Sequence, residues 1–403
     1  MNPTDLTPPR LLFVVSSLAV GGTEKHLASI SAALKARGWD VALYSTGGDG
    51  ALTPVLLSRG VRVISPPRFA RRLLGFPLGT RFLRLPVTAL HLLVVLLRQR
   101  FSIIHFFLPE AYVVGAPLAL LAGIRLRVMS RRSLNTYQGG HALSALVERC
   151  LHVLVAAALA NSRSVARQLE AEGISAQRIG LIYNGVASEV PAVTNARHGI
   201  RQGLGLGDAT LVLVIVANLI PYKGHLDLVD ALARAAANIP ADWRLLIVGR
   251  DDGAGADVRA RARSAGIADK IRFLGERNDV ADLLSASDIG LLTSHQEGFS
   301  NAIIEGMYAG LPMIVTDVGG NAEAVVDGQT GLVVPARDPI ALAAAIERLA
   351  GDPQLRVRYG GEGHRRATTY FSLDGCVTAY EALYRGLLSG KSPSEIPEIR
   401  YRS

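Results

Sequence analysis

Short apolar runs alternate with amphipathic stretches along nearly the whole chain, and glycine-containing turns separate many of them. In the first half, runs rich in β-branched residues predict strands at 11–16, 41–45, 61–64, 103–107, 126–130 and 154–160. In the second half, the corresponding runs predict strands at 211–217, 245–248, 271–274, 289–293 and 313–316. Strands that alternate with helices in this way build parallel doubly wound sheets, so the expected fold class is α/β.

The alternation is interrupted by a polar stretch that contains Gly and Pro near residues 189–208, which predicts a domain boundary near residue 190. A chain of 403 residues exceeds the usual size of a single core, so two domains are expected. We assign residues 1–189 to the first domain and 190–370 to the second. Residues 371–403 are expected to form a helix that packs back toward the first domain, followed by a loose tail.

The charge distribution adds a candidate membrane surface. The chain has 43 Lys and Arg against 34 Asp and Glu, a formal net charge of +9. One stretch of the first half interleaves arginines with Leu, Phe and Val. This mixture is typical of a basic amphipathic surface on an anionic membrane, although a solvated basic helix face is an equal alternative. No nucleic-acid motif is found, so nucleic acid is not an expected partner. The arginines of the basic, apolar stretch are Arg68, Arg71, Arg72, Arg81, Arg84, Arg98 and Arg100.

The apolar runs are too short to cross a bilayer. The run at 11–20 follows Asp5 and three prolines, which favours a buried strand over a signal peptide. Cys150 and Cys376 have no CxxC spacing and indicate a reducing compartment. We therefore expect a cytoplasmic protein, with peripheral attachment to the inner membrane face as a further possibility.

The richest candidate site follows the strand at 289–293 and runs from Glu297 through Gly-Phe-Ser-Asn-Ala-Ile-Ile to Glu305. Ser300 or Asn301 can cap the helix that begins there, and free N–H groups at a helix start favour a diphosphate. Glu305 lies one turn further on the face of Asn301, where it can accept hydrogen bonds from a ribose. Glu297 can reach the sugar end of the same ligand. Ordinary capping beside a surface carboxylate is the alternative.

Two further turns follow strands of the same half. Pro221-Tyr222-Lys223-Gly224-His225 comes after the strand at 211–217, and Gly319-Gly320-Asn321-Ala322-Glu323 comes after 313–316. The carboxyl ends of parallel strands meet at one edge, where open α/β sheets bind ligands. There Lys223 offers a positive charge to a diphosphate, and the glycines permit close backbone approach.

These motifs resemble the group-1 glycosyltransferases of family 4, as do Gly21-Gly22-Thr23-Glu24 and Tyr183-Asn184-Gly185-Val186. The resemblance covers residues 10–388. It implies a GT-B fold, in which two Rossmann-like doubly wound domains face each other across a central cleft. It also implies a retaining, metal-independent hexosyltransferase without a cofactor, which uses a UDP-sugar or GDP-sugar held mainly by the second domain. The first domain would bind the acceptor.

The resemblance also implies residue roles. Lys223 would bind the diphosphate, Glu305 the ribose, and Glu297 would be a catalytic acidic residue near the sugar hydroxyls. The remaining contacts to the donor would come from Gly298, Phe299, Ser300 and Asn301 in the second domain, and from Gly21 and Gly22 in the first.

Two positions depart from the family pattern. Asn218 replaces a basic residue five positions before Lys223, so one positive charge that would neutralise a phosphate is missing. Arg250 is a candidate to supply that charge. Arg132 stands where the family often has a histidine near the reacting carbon. It cannot be a base at neutral pH, but it can neutralise a leaving phosphate or bind an anionic acceptor. His105 is a second candidate acceptor-side residue, with a structural role as the alternative.

The acceptor expected from the basic, apolar first domain is a lipid-linked or membrane-associated glycan in surface polysaccharide synthesis. Two other functions stay open: a sugar-nucleotide epimerase of the same fold, and a non-catalytic nucleotide-sugar-binding relative. The adjacent carboxylates of Asp251 and Asp252 lie in a glycine-rich loop and are more typical of solvated side chains than of a metal site. No metal is therefore expected.

Overall fold

The computed structural model describes residues 9–19, 21–67, 81–135, 142–187 and 195–401. The chain forms two compact units. The first unit comprises Met1–Asn184 together with Leu373–Ser403, and the second comprises Gly185–Ser372. The boundary predicted near residue 190 falls on residues 188–194, which lie outside the described part.

The first unit contains a parallel sheet in the order β3-β2-β1-β4-β5-β6-β7. Because β1 pairs with both β2 and β4, the chain winds outward in both directions from β1, as in a Rossmann-like fold. Its strands are β1 Arg10–Val15, β2 Asp40–Ser45, β3 Arg62–Ile64, β4 Ile103–Phe107, β5 Leu126–Arg131, β6 Ala157–Ala160 and β7 Ile179–Leu181. Its helices before the second unit are α1 Gly22–Ala36, α2 Thr53–Ser58, α3 Arg81–Gln99, α4 Pro109–Leu121, α5 Ala142–Leu151 and α6 Arg163–Ala171.

The second unit repeats this architecture with a parallel sheet in the order β10-β9-β8-β11-β12-β13. Its strands are β8 Leu211–Val216, β9 Trp243–Val248, β10 Ile271–Gly275, β11 Ile289–Leu292, β12 Met313–Thr316 and β13 Gly331–Val334. Its helices are α7 Asn195–Gly203, α8 His225–Ala235, α9 Gly255–Ser264, α10 Val280–Ser285, α11 Asn301–Tyr308, α12 Asn321–Ala324, α13 Pro339–Gly351 and α14 Pro353–Tyr370. The α/β fold class with two doubly wound sheets is confirmed.

The C-terminal helix α15, Leu373–Leu388, belongs to the first unit. Its buried side chains include Tyr380 and Tyr384, which share a core with Phe13 of β1 and Leu27 of α1. A helix from the far end of the chain therefore completes the core on one face of the first sheet.

The prediction of a loose tail after Lys391 was wrong. Ile396, Ile399 and Tyr401 are only 4%, 1% and 5% exposed, and Arg400 forms an antiparallel bridge with Gly180 of β7. Two short 3-10 turns, Pro393–Glu395 and Pro397–Ile399, space these apolar side chains so that they reach the first unit. Neither helical nor strand periodicity describes such spacing, so a pattern-based reading misses it.

Strands β7 and β13 were also missed, and residues 154–156 do not form the start of β6. The two missed strands have three and four residues, and each contains a glycine. A strand of this length gives little periodicity to recognise. Among the helices that the structure describes, none combines the length and apolar composition needed to span a membrane.

Candidate functional site

Lys223 and Glu297 meet at the carboxyl edge of the second sheet. The Lys223 Nζ lies 2.6 Å from Glu297 Oε1, which also accepts a hydrogen bond of 2.7 Å from Ser294 Oγ. Lys223 ends the turn after β8, and Glu297 lies in the loop after β11, which is the neighbour of β8 in the sheet. The two side chains are only 17% and 12% exposed. The sequence predicted both at this edge, and the structure brings them into direct contact.

This ion pair controls the charge of the lysine. Burial alone would lower the pKa of Lys223, but the adjacent Glu297 carboxylate outweighs it through its charge and its hydrogen bond, so the pKa is raised. Lys223 is therefore fully charged at neutral pH. A diphosphate that binds Lys223 must share it with Glu297 or displace that carboxylate.

The turn that carries Lys223 is fastened to the end of β11. Gly224 has a φ of 69°, and a Cβ there would lie 2.0 Å from the carbonyl oxygen of Thr293. Thr293 Oγ1 donates to the carbonyl of Gly224, and the N–H of His295 donates to the carbonyl of Tyr222. Only glycine fits this close backbone contact, which fixes the height of Lys223 above the sheet edge.

The glycine turn after β12 supports Glu297 in the same manner. Gly319 has a φ of 56°, and a Cβ there would lie 1.9 Å from the carbonyl oxygen of Glu297. The N–H of Gly320 donates to the carbonyl of Gly298 at 2.8 Å. The close backbone approach predicted at these glycines is made to the backbone of the 297–298 segment.

Gly319→Ala is expected to destabilise the protein more than Gly328→Ala, although both glycines have positive φ, 56° and 68°. A Cβ at Gly328 meets nothing closer than the Tyr359 hydroxyl at 3.9 Å, so only the left-handed backbone cost of about 1–2 kcal/mol applies. At Gly319 the clash with the Glu297 carbonyl adds to that cost, for a total above about 3 kcal/mol. Urea unfolding measures both, and equal losses would contradict a clamping role for Gly319.

Helix α11 begins immediately after the glutamate loop. Ser300 occupies the N-cap position with φ −84° and ψ 126°, as one of the two predicted options had it, but its side chain makes no capping hydrogen bond. Asn301 is the first helical residue, and Glu305 is half-buried one turn later. Phe299 is 5% exposed and packs edge-on against Phe371, with ring centroids 5.3 Å apart, which anchors the loop between Gly298 and Ser300.

Asn218 and Arg250 also lie at this edge, after β8 and β9. The Asn218 side chain accepts from the Arg250 N–H at 3.1 Å and donates to Asp252 at 2.9 Å. The Arg250 guanidinium binds the Asp252 carboxylate through two hydrogen bonds of 2.6 and 3.0 Å, which lower the pKa of Asp252. Arg250 can therefore supply the missing positive charge to a phosphate only if its exposed ion pair with Asp252 breaks. Asp251 accepts from the N–H groups of Gly253 and Gly255.

In the first unit, Gly21 precedes α1 with an extended backbone, φ −143°, which other residues can also adopt. A Cβ at Gly21 would lie 2.4 Å from Glu24 Oε2, whereas a Cβ at Gly22 would meet nothing within 4 Å. Glu24 hydrogen-bonds its own backbone N–H, and burial raises the pKa of its carboxyl, opposed by that bond and by Arg132. The contact of Gly21 and Gly22 with phosphates stays a prediction.

Arg132 lies directly after β5. Its Nη2 donates to Asn184 Oδ1 at 2.8 Å. Burial lowers the pKa of Arg132, while Tyr380 and Glu24 act in the opposite direction. No carboxylate of the described residues forms an ion pair with it. Arg132 is thus a partly buried cation that donates to the neutral side chain of Asn184.

His105 has no exposed surface, which does not fit its predicted role as an acceptor-side residue. Its Nδ1 lies 2.7 Å from the Tyr384 hydroxyl and its Nε2 lies 2.8 Å from Ser130 Oγ. Burial and the nearby Arg132 hold the pKa of His105 well below its ordinary value. The structural alternative is therefore the better description: His105 is a neutral core side chain that ties β4 to β5 and α15.

A buried ionic cluster around Arg131 fixes the loop that carries Arg132, and no local sequence pattern predicts this cluster. Arg131 binds Glu148 of α5 and, at 2.5 Å, Glu172 after α6. Glu172 also contacts His152 at 3.1 Å and Asn135 at 2.9 Å. The chain is thereby anchored just before Arg132 and again three residues after it.

Acid is expected to lower the free energy of unfolding, because protonation of the Glu172 carboxylate weakens this ionic cluster. Burial alone would raise the pKa of Glu172, but hydrogen bonds from His152, Arg131 and Asn135 lower it to about 2. A carboxyl with a depressed folded pKa stabilises the protein above its unfolded pKa, about 4.3, and loses that contribution, about 3 kcal/mol, as the pH falls toward 2. Urea unfolding at pH 7 and pH 3 measures the loss.

The matched variants are Glu172→Gln and, at an exposed surface ion pair, Glu362→Gln. Glu172→Gln is expected to be less stable than the wild type at pH 7 and to lose less stability between pH 7 and pH 3. Parallel acid profiles for the wild type and both variants would contradict the assignment.

A small cavity of about 20 Å³, room for about one water molecule, opens at the carboxyl ends of β4 and β5 in the first unit. Leu108 on its wall has a φ of 72°, a left-handed conformation that is strained for a branched side chain. Residues with such strained backbones occur often at functional sites. The other walls include Tyr112, Ser130, Arg132 and Glu148. The cavity therefore combines strained backbone, apolar surface and the Arg132 cation.

Comparisons with known proteins agree with this architecture. The chain is 29% identical over 189 residues to N-acetyl-alpha-D-glucosaminyl L-malate synthase of Bacillus anthracis, which is 47% of this chain and 49% of the relative. It is 35% identical over 166 residues to D-inositol 3-phosphate glycosyltransferase of Corynebacterium diphtheriae, which is 40% of this chain and 39% of the relative. The chain thus spans half or less of the length of these curated relatives.

The crystal structure of Anabaena HepE in complex with UDP shares the fold, with a TM-score of 0.80, 22% identity, and coverage of 94% of this chain and 100% of that one. The fold is therefore of the GT-B type. A model of glycosyl transferases group 1 matches residues 210–352, and a model of Glycosyltransferase Family 4 matches residues 20–190. With one match in each half and the predicted Lys223 and Glu297 in contact, the chain belongs to the group 1, family 4 glycosyltransferases.

Proposed function

We propose that the protein transfers a sugar from a nucleoside diphosphate-sugar to an acceptor hydroxyl, with retention of configuration and without a metal ion. The contact between Lys223 and Glu297 carries this proposal. It places a charged lysine and a carboxylate side by side at the edge where open α/β sheets bind ligands. Gly224 and Gly319 hold both backbones in place.

In the proposed mechanism, the donor diphosphate binds Lys223 and the free N–H groups at the start of α11. Glu297 then turns to the hydroxyls of the donor sugar, and Glu305 accepts from the ribose. The bond between the anomeric carbon and the leaving phosphate oxygen breaks, and the acceptor oxygen attacks from the same face. The acceptor proton passes to the leaving phosphate, whose growing charge Lys223 and the helix stabilise.

A UDP-sugar is the first donor candidate, with a GDP-sugar as the alternative. The support comes from the HepE crystal structures, which hold UDP, UDP with glucose, and UDP-glucose. If Arg250 separates from Asp252, its guanidinium can bind the diphosphate and supply the positive charge that Asn218 lacks.

The acceptor that we propose carries a phosphate or a carboxylate. Arg132 supports this choice because it lines the cavity of the first unit, donates to the neutral Asn184 side chain and forms no ion pair with a described carboxylate, and an arginine of this kind can bind an anion. The names of the two relatives refer to L-malate and D-inositol 3-phosphate, both small anions. The lipid-linked glycan predicted from the sequence fits the same chemistry if it bears a phosphate.

A transfer assay tests the proposal. UDP- and GDP-sugars are incubated with four acceptors: malate, inositol phosphate, uncharged inositol and a phosphate-linked glycan lipid. The expected result is a product with an anionic acceptor, whose anomeric configuration by proton NMR matches that of the donor. Inversion would refute retention. Donor conversion without any acceptor would identify an epimerase, and nucleotide binding without turnover would identify a non-catalytic relative.

We further propose that the first unit rests on an anionic phospholipid surface at the cytoplasmic face of a membrane. Leu90 and Leu97 are 64% and 55% exposed on one face of α3, and Leu121 at the end of the adjacent α4 is 71% exposed. Arg98 and Arg100 are exposed beside them. Apolar side chains with neighbouring arginines match the chemistry of such a surface. The predicted residues Arg68, Arg71 and Arg72, and the side chains of Arg81 and Arg84, lie outside the described residues.

Sedimentation with anionic phospholipid vesicles tests this surface. The double variant Leu90→Glu/Leu97→Glu is expected to lose vesicle binding. The matched control, Leu226→Glu/Ile340→Glu, alters two exposed apolar residues of the second unit and is expected to keep it. Equal binding by both variants would remove the support.

A further inference from the structure

Ser294 lies between β11 and Glu297, and its side chain contacts the glutamate directly. The residue has no exposed surface, and its Oγ donates to Glu297 Oε1 at 2.7 Å. The same carboxylate oxygen accepts from Lys223 Nζ at 2.6 Å. A carboxylate oxygen has about two lone-pair positions, so these two donors fill Oε1. Among the described residues no donor reaches Glu297 Oε2, which is thus the oxygen left for another ligand.

The neighbouring strand fixes the backbone of Ser294. Thr316, the last residue of β12, is 3% exposed, and its Oγ1 donates to the carbonyl of Ser294 at 2.6 Å. A serine has a single side-chain torsion between heavy atoms, so a fixed backbone leaves its hydroxyl few positions. Glu297 has three such torsions and loses more entropy when its carboxylate is held in one place. Ser294 Oγ is therefore the rigid member of this hydrogen-bonded pair.

The two donors to Glu297 differ in what a diphosphate does to them. Lys223 is a cation, so a bound phosphate draws its ammonium group away from the carboxylate. The Ser294 hydroxyl is neutral and fully buried, so it can stay on Oε1. A carboxylate that is only 12% exposed is costly to leave without any donor. Ser294 is then the partner that remains to Glu297.

We infer that Ser294 is a positioning residue that holds Glu297 Oε1 when the diphosphate binds Lys223, and thereby directs Oε2 to the hydroxyls of the donor sugar. This inference rests on the proposed function, in which Glu297 contacts the sugar. A hydroxyl donor suits this role because it fixes the carboxylate without cancelling its negative charge. The turn of Glu297 toward the sugar is then a rotation about the oxygen that Ser294 holds.

Ser287 provides a matched control at the other end of β11. It is 2% exposed, and its Oγ donates to the backbone carbonyl of Leu283 at 2.8 Å. Ser287→Ala removes one buried hydroxyl, as Ser294→Ala does, without deleting a hydrogen bond to Glu297. Both variants are expected to lose thermal stability, so a general effect of a lost buried hydroxyl would appear in the two alike.

The first test does not depend on activity. In protein whose glutamates carry 13C at the carboxyl carbon, the Glu297 NMR signal is identified by its loss in Glu297→Gln. Ser294→Ala is expected to shift this signal, both in the wild type and in a Lys223→Ala background that removes the other donor. Ser287→Ala should leave the signal unchanged in both. A Glu297 signal that Ser294→Ala does not shift in the Lys223→Ala background would overturn the inference, whether or not the protein transfers a sugar.

The second test uses sugar transfer. Ser294→Ala is expected to lower kcat by about 10- to 100-fold, since a hydrogen bond to a charged group is lost, while the dissociation constant of the nucleotide stays unchanged. Ser287→Ala should keep the wild-type kcat. Equal losses of kcat in the two variants, or a matching loss of nucleotide affinity in Ser294→Ala, would show a merely structural role and overturn the inference. A wild type that transfers nothing would refute the proposed function, and the NMR result would still decide whether Ser294 holds Glu297.

Discussion

Lys223→Ala is expected to weaken nucleotide diphosphate binding by about 100- to 1000-fold and to abolish measurable transfer, since a partly buried cation that contacts a phosphate is worth several kcal/mol. The substitution also leaves the Glu297 carboxylate, 12% exposed, without its counter-charge. The free protein should therefore lose stability as well as affinity. Calorimetric titration with the preferred nucleotide measures the affinity, and urea unfolding measures the stability.

Lys270→Ala is the control for this change. Lys270 lies in the same unit, and among the described residues its Nζ donates only to the carbonyl of Ala241, at 3.0 Å. Nucleotide affinity and transfer should both survive there. Retention of normal affinity in Lys223→Ala would contradict the placement of the diphosphate.

Glu297→Gln is expected to have the opposite effect on binding. In the free protein the Glu297 carboxylate holds Lys223 at 2.6 Å, so a diphosphate must compete with it for the lysine. Removing the negative charge while keeping the shape should leave nucleotide affinity unchanged or raise it by up to about tenfold. Transfer should fall by about 1000-fold or more, because the donor sugar loses its carboxylate contact.

Affinity by calorimetry and turnover by product formation separate these two effects. Glu347→Gln is a suitable control, since the one described donor to Glu347 Oε1 is the exposed side chain of Asn238, at 3.0 Å. Loss of affinity and transfer in equal proportion in Glu297→Gln would show that Glu297 serves the nucleotide and not the sugar.

The location of Lys223 and Glu297 at one sheet edge could be predicted from the sequence because the fold itself brings these residues to that edge. Each follows a strand of one parallel sheet, and the carboxyl ends of neighbouring strands meet at the same edge. The position of Gly319 follows from the same rule. What the sequence does not show is that the free protein pairs the two charges directly, since this depends on the exact loop heights set by Gly224 and Gly319.

The first unit was less predictable for a physical reason. Whether His105 faces a ligand or the core depends on what covers its side of the sheet, and the covering element is α15 from the end of the chain. Arg131 and Glu172 are likewise distant in sequence, and no local spacing reveals such a pair. Long-range packing therefore decides the roles that pattern reading leaves open.

The most direct measurement of the central claim is the thermal stability of the purified protein with UDP, GDP, ADP and their sugar conjugates. A ligand at about 100 times its dissociation constant stabilises the native state by about 2.7 kcal/mol, which is easily detected. We expect stabilisation by one nucleotide class, which is lost in Lys223→Ala and retained in Glu297→Gln. If no nucleotide stabilises the wild type, or if Lys223→Ala is stabilised equally, the donor site is not where these residues place it.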